Sequence, residues 1–444
     1  MDFLNKEIIR LSLPTIVSNV TVPLLGICDT AISGHLGSEL YLSAIAVGSV
    51  MLNVVFWIFG FLRGGTTGLT ANALGANSLA KSQDIDSSNE TSKVLYRVLL
   101  IAVTAGSVLI ILHHPIFLFL QLVSGSGPEL RQFVEDYFII RIWGSPALLA
   151  TMAISGWFVG MQTTFYPMLI SIVMNLINIG ASCALVFGCG YGFNGVAIGT
   201  LISNWLGLLV SLACLLWFCK GRFPKCPWKL LAKGEWWRYF AVNGNLFLRS
   251  FFIICVTMGV TAAGAKLGNL TLAINVIVMQ FFQFFSFFMD GFAFSGEAMV
   301  GLRAGQKDYK MLSDCVHRLL QWTLATGLIF SVVYFSGTPT ISSWLTDNEP
   351  VVEGVTQLTF IIGLIPIVSC WAFIYDGFYI GVTDTYRMMI STLLGGSIFF
   401  AIIFLFTENG NIIIWTAFLS YLLVRGLYLA FMWKNTLTRN IFAK

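Results

Sequence analysis

The chain has 444 residues, of which 57% are hydrophobic and only 10% charged, and its mean hydropathy is +0.82. A water-soluble domain cannot hide that much apolar surface, so a soluble enzyme or binding module is excluded and a polytopic membrane protein is predicted. The formal net charge of +4 is no sign of a nucleic-acid partner, because its distribution along the chain has another cause.

Backbone polar groups in lipid must be satisfied within their own segment, so long apolar runs are helices. Twelve spans are predicted, near residues 8–34, 42–76, 94–121, 133–160, 165–188, 194–219, 236–265, 270–303, 312–336, 354–381, 386–407 and 411–433. Before the first come Asp2, Lys6, Glu7 and Arg10, and no small-residue cleavage pattern follows it, so it reads as a retained helix and not a signal peptide. Pro14 and Pro23 each remove a backbone bond from this helix and predict a bend. It ends on "GICDTAISGHLG", with Asp29 five residues from its outer end. A carboxylate inside a membrane is costly and marks a functional site by default, and desolvation predicts that it is protonated at least part of the time.

Arg63 and Arg141, in helices two and four, read as paired or snorkelling. Helix five carries Ser171, Asn175, Asn178 and Ser182 at spacings of three and four, which form one polar stripe. Thr200, Ser203, Asn204 and Gly207 share a face of helix six. Asp29 with Asn175, Asn178, Ser182 and Thr200 thus offers one carboxylate and several neutral oxygens at similar depth, a set suited to a proton or to Na⁺, the latter at Asp29, Asn178 and Thr200. Membrane Asn, Ser and Thr residues also serve simply as interhelical hydrogen-bond partners, so both readings stand at Asn175, Ser182 and Thr200.

The basic loop 220–238 separates two six-helix blocks, 1–219 and 239–444. "GWFVGMQTT" (156–164) matches "GFYIGVTDT" (377–385) at an offset of 221, and "HLGSELYLSAIAV" resembles "KLGNLTLAINVIV" at an offset of 231. Six spans per block give both copies the same orientation, so the expected fold is an all-α membrane protein of two lobes related by a pseudo-two-fold axis along the membrane normal. At the offset of 231, Asp29 falls on Val260, so the predicted ion site is confined to the first block.

The second block has charges of its own. Arg249 lies in helix seven, Asp290 and Glu297 seven apart in helix eight, Asp376 in helix ten and Arg425 in helix twelve. They are expected to form an ion-pair network, structural in one reading and coupling in the other. The run "QFFQFFSFFMDGF" (280–292) reads as packing or lipid-facing surface, with a cavity for flat lipophilic ligands as the alternative.

Bases cluster on one side, in the 220–238 loop and at Lys6, Arg10, Lys81, Lys93, Arg303, Lys307, Arg387 and Lys434, whereas the opposite loops hold Glu39, Glu129, Asp347, Glu349, Glu353 and Glu408, with Arg131 and Lys266 as their only bases. The positive-inside rule then places both termini in the cytoplasm. Nine cysteines without a C-x-x-C pair read as buried thiols, and the four histidines lack metal-ligand spacing. No organic cofactor, no metal cluster and no catalytic set is expected.

Five stretches, "LSLPTIVSNVTVPLLGICDTAISGHLG", "RIWGSPALLATMAISGWFVGMQ", "NLINIGASCALVFGCGYGFNGVAIGT", "MDGFAFSGEAMVG" and "YDGFYIGVTDT", together resemble the multidrug and toxic compound extrusion (MATE) transporters, in their DinF-like branch. The resemblance covers nearly the whole chain. It implies two V-shaped lobes in a bacterial inner membrane and export of lipophilic, usually cationic compounds by a monomer, driven by inward flow of H⁺ or Na⁺. It implies further that Asp29 is the coupling residue, that Pro14 is the kink position, and that Asn178 and Thr200 belong to the N-lobe site. Many relatives carry an aspartate four residues after the helix-five asparagine; here that position is Ser182. One carboxylate favours H⁺ over Na⁺ as the expected coupling ion. The rival reading is a lipid or glycolipid flippase of related architecture.

Overall fold

The computed structural model describes residues 3–34, 39–82, 90–124, 127–220, 236–406 and 410–438. Their regular structure is helical throughout: α1 (Phe3–Gly34), α2 (Glu39–Ile58), α3 (Phe61–Ser82), α4 (Glu90–Ile111), α5 (His113–Ser124), α6 (Pro128–Ile142), α7 (Ser145–Gly160), α8 (Phe165–Cys183) with a π-helical turn at Ala184–Gly188, and α9 (Gly192–Phe218). There follow α10 (Trp236–Lys266), α11 (Asn269–Gln306), α12 (Tyr309–Leu345), α13 (Glu349–Gln357), α14 (Thr359–Gly381), α15 (Thr385–Phe406) and α16 (Asn411–Leu437). Ten described spans are long and apolar enough to cross a membrane, and an eleventh results when α6 and α7, bent by 50°, count as one. The remaining helix of the expected twelve is α1, whose 32 residues extend about 48 Å at helical rise.

Several expected spans are broken, and the breaks have local causes. Between α2 and α3 the bonding tightens to i→i+3, with Gly60 N donating to Trp57 O at 3.0 Å. At the α6–α7 bend Pro146 occupies the first turn of α7, where it has no N–H to give. A Cβ at Gly144 would lie 2.5 Å from Asn204 Nδ2 and 3.2 Å from Arg141 O, so glycine lets the bend form without displacing the Asn204 side chain.

The chain divides into two compact units, Val17–Glu235 and Met1–Ile16 with Trp236–Lys444. α1 is shared between them and stays helical across Pro14, two residues before the division. In the first unit, Trp157 and Phe158 of α7 pack with Leu95 of α4, Ile170 of α8 and Leu215 of α9. Small residues let α7 lie directly on α3: a Cβ on Gly156 would meet Arg63 O at 2.3 Å. In the second unit α14 lies on α11 in the same manner, with a Cβ on Gly377 placed 2.4 Å from Ala293 O.

The repeated motif keeps one backbone form in both units. After α7, the amides of Met161, Gln162 and Thr163 donate to the carbonyls of Trp157, Val159 and Phe158. After α14, those of Val382, Thr383 and Asp384 donate to Phe378, Ile380 and Tyr379, position for position at the offset of 221. Gln162 and Thr383 both take left-handed backbone, at φ 63° and 58°.

The phenylalanine run divides by face. Phe281, Phe285 and Met289 enter the core with Tyr334, Trp415 and Phe418, whereas Phe284 is exposed. Most of the run's aromatic burial is therefore packing. The first part of α1 is fixed to this second unit by Trp322 Nε1 donating to Asn5 Oδ1 at 3.0 Å and by the Arg303–Glu7 pair at 3.9 Å.

Candidate functional site

The stripe on α8 is turned towards neighbouring helices of the first unit. Asn178 Nδ2 donates to Thr200 Oγ1 of α9 at 3.0 Å, and that hydroxyl donates in turn to Val196 O at 3.1 Å. One turn further on, Ser182 lies against Gly199, so closely that a Cβ at Gly199 would come within 2.3 Å of Ser182 Oγ. Ser203 Oγ donates to Met174 O at 2.7 Å, completing a polar seam between α8 and α9. Asn178 is 1% exposed and Ser182 fully buried. Asn178 Oδ1 and Ser182 Oγ nevertheless have no hydrogen-bond partner among the described residues. Each such orphan costs about 1–3 kcal/mol, a cost that a proton donor or a cation at that spot would remove.

Asn175 points elsewhere. Its Nδ2 donates to Thr21 Oγ1 of α1 at 3.1 Å, and Thr21 donates to Ser18 O at 2.7 Å. This ties α8 to the part of α1 that carries Asp29. Asp29 itself belongs to α1, and its side chain lies outside the described residues. Thr21 was not singled out in the sequence, where a lone Thr on an apolar helix has no periodic signal.

In the second unit the structure joins three of the expected charges. Asp376 Oδ2 of α14 accepts from Arg425 Nη2 of α16 at 2.6 Å and from Arg249 Nη2 of α10. Arg425 Nη1 also donates to Tyr421 OH at 2.9 Å, with its guanidinium 5.1 Å from that ring's centre. Tyr421 was missed in the sequence, although its i,i+4 spacing from Arg425 is a usable signal. On α11, Glu297 is buried at 2% exposure and Asp290 is half-buried two turns earlier. Val260, the counterpart of Asp29, is 1% exposed in the hydrocarbon core of this unit.

Of the remaining intramembrane arginines, Arg141 donates to Tyr137 OH at 2.8 Å, and Tyr137 is itself 3.0 Å from Ser49 Oγ. Eight described cysteines are free thiols, three of them buried and Cys189 exposed.

Known proteins resemble this chain in sequence and in fold. The family described as MatE matches residues 14–183 and 246–407, one block in each half. DNA damage-inducible protein F of Escherichia coli (strain K12) is 32% identical over 437 residues, covering 97% of this chain and 92% of that protein. The probable multidrug resistance protein NorM of Thermotoga maritima is 28% identical over 212 residues, 46% of this chain and 43% of that protein. A crystal structure of a variant of the Vibrio cholerae MATE transporter VcmN superposes with a TM-score of 0.85 over 99% of both chains at 16% identity, a likeness of fold.

Proposed function

Since the chain belongs to the MatE family, a family of membrane transporters and not of enzymes, we propose that it is a secondary antiporter that exports small lipophilic compounds, cations among them, in exchange for H⁺. The observation that carries this reading is the pair of orphaned buried oxygens, Asn178 Oδ1 and Ser182 Oγ, beside the helix that holds Asp29.

Helical rise brings Asp29 to them. From the Thr21–Asn175 contact, Asp29 lies about 12 Å further along α1 and Ser182 about 10.5 Å further along α8. On the expected topology the two helices run in the same sense, so position 29 falls at about the same depth as Ser182. A protonated carboxyl group needs a single acceptor, and the unpartnered Asn178 Oδ1 and Ser182 Oγ are acceptors of that kind. Na⁺ asks for more, because hard cations gather about six oxygens and the Thr200 hydroxyl is already engaged by Asn178 and Val196.

Transport then follows from one charge. With Asp29 ionised, the outward-open state releases its compound and takes up a proton; neutralising this intramembrane carboxylate favours the return to the inward-facing state. A few kcal/mol of preference for one state is enough to bias the cycle. The division of α1 two residues after Pro14 supports Pro14 as the place where the helix bends during that exchange. Both termini are assigned to the cytoplasm of a bacterial inner membrane.

Purified protein in liposomes loaded with a cationic dye tests the scheme under an imposed pH gradient and, separately, an imposed Na⁺ gradient. Dye movement driven by the pH gradient and absent in Asp29→Asn is the expected result. Movement with Na⁺ alone replaces the ion, and full proton-driven efflux by Asp29→Asn sinks the scheme. Stillness under both gradients in well-folded protein favours the flippase reading.

A further inference from the structure

We propose that the second unit holds a binding site for an anionic group, a carboxylate or phosphate carried on a lipophilic body, built on Arg249 and Arg425 with Asp376 and Tyr421. Charge balance is the starting point. A single carboxylate oxygen, Asp376 Oδ2, serves two guanidiniums, which leaves one positive charge in excess. The cluster is deep: Asp376 and Arg425 are 5% and 6% exposed. An uncompensated charge is not kept at such depth without a counter-charge.

The donors are equally unfulfilled. Arg249 Nε and Arg425 Nε are buried and have no hydrogen-bond partner among the described residues, and the same holds for the acceptor Asp376 Oδ1. Tyr421 is a phenol and brings no formal charge; its hydroxyl accepts from Arg425 Nη1. Arg249 is the open member of the cluster, its side chain 19% exposed. Guanidiniums recognise carboxylate and phosphate by paired N–H donors, so a monoanion at Arg249 meets both the charge and the geometry.

The helix that carries Asp376 also presents an exposed aromatic side chain. Trp371, 37% exposed, stacks on Tyr375 with 6.4 Å between ring centres, and Tyr375 adjoins Asp376 in sequence. Trp371 also lies against Gly426, the neighbour of Arg425, where a Cβ would be 2.9 Å from its own. The accepted compounds therefore extend beyond cations to lipophilic acids. That such an acid is exported rests on the transport reading above; that it binds does not.

The test is equilibrium binding to the full-length protein in nanodiscs of zwitterionic lipid, with naphthoate, its neutral amide and inorganic phosphate as probes. Naphthoate is expected to bind at least ~10-fold more tightly than the amide, Arg249→Gln to weaken it ~10-fold, and Asp376→Asn to tighten it by a similar factor by removing the competing carboxylate. Should Asp376→Asn be poorly folded, its melting temperature should rise with naphthoate by more than that of the wild type. Phosphate bound in the same Arg249-dependent way supports the site with a free anion as occupant; naphthoate alone supports the lipophilic acid. Naphthoate binding no better than the amide, or weakened alike by Arg249→Gln and Asp376→Asn as in a purely structural ion pair, overturns the proposal. Bound naphthoate that no gradient moves, in liposomes where the dye is also still, counts against the transport reading and leaves the site standing. Gradient-driven dye export without naphthoate binding does the reverse.

Discussion

The two units share a backbone plan and differ in the polarity of their interiors. Both use a small-residue helix laid on its neighbour and both end it with the same left-handed turn, at Gln162 and Thr383. Yet where the first unit has Asp29, Asn178 and Ser182, the corresponding positions of the second are Val260, Phe399 and Ile403. Val260 and Phe399 are at most 1% exposed, in continuous hydrocarbon packing. The second unit places its buried charges on other positions, with guanidiniums in excess. The two units keep the same turn geometry and differ in the residues of their interiors, so the proposed ion site and the proposed anion site fall in different units.

Exchanging the paired positions breaks the comparison most severely. Asp29→Asn should lower gradient-driven export by ~100-fold or more, equivalent to ~2.7 kcal/mol, while the melting temperature in detergent stays within a few degrees of wild type. Val260→Asp should have the opposite profile. It puts an unpaired carboxylate in packed hydrocarbon, costs several kcal/mol, and should appear as loss of monodisperse protein on gel filtration. If both substitutions harm stability equally, Asp29 is a packing residue like its counterpart.

A smaller contrast lies between the polar clusters themselves. Asp376→Asn strips the buried Arg425 and the half-buried Arg249 of their shared carboxylate, and ~3–5 kcal/mol of destabilisation is expected. Thr200→Val removes two neutral bonds, that from Asn178 Nδ2 and that to Val196 O, and leaves the buried Asn178 amide without its partner, at a cost of ~1–3 kcal/mol. Thermal melts of the two variants side by side give the difference. Equal losses would mean that the charged cluster holds the second unit together no more than the neutral bonds of one threonine hydroxyl do the first.

How far this contrast was legible in the sequence depended on the range of the contacts. The stripe Asn175, Asn178 and Ser182 was readable because its members are neighbours on one helix, and the glycine–aromatic repeat because close helix approach requires those residue types. The breaks near Gly60, Gly144 and Leu358 were not readable, since hydrophobicity runs on across them while the backbone turns. Arg249, Asp376 and Arg425 were visible as charges, but their union spans 127 and 49 residues of sequence, and nothing local indicates which acid meets which base. That Asp376 and not Asp290 or Glu297 joins the two arginines is a product of helix packing alone.

The glycine approaches sharpen the shared part of the plan. Gly156→Ala and Gly377→Ala each drive a methyl into a facing carbonyl, 2.3 Å and 2.4 Å away, and overpacking of this kind costs ~1–3 kcal/mol. The two losses in melting temperature should match within error, because the obstacle is backbone in both units. A loss in one unit only would mean that the other has room to shift its helix.

The smallest effect is a gain. Gln162 and Thr383 hold φ near +60° without being glycine, a conformation in which a Cβ crowds the backbone and from which glycine is exempt. Replacing either by Gly should raise stability, less the entropy that glycine adds to the unfolded chain. Threonine is branched at Cβ and so is strained more than glutamine in this region. Thr383→Gly should therefore gain ~1 kcal/mol and Gln162→Gly about half of that or less, read as a rise in melting temperature that is larger for the second unit. Equal rises would show that side-chain branching is relieved by the turn's surroundings. A fall at Thr383 alone would give its side chain a role that the common backbone form does not require, and the likeness between the two turns would end at their hydrogen bonds.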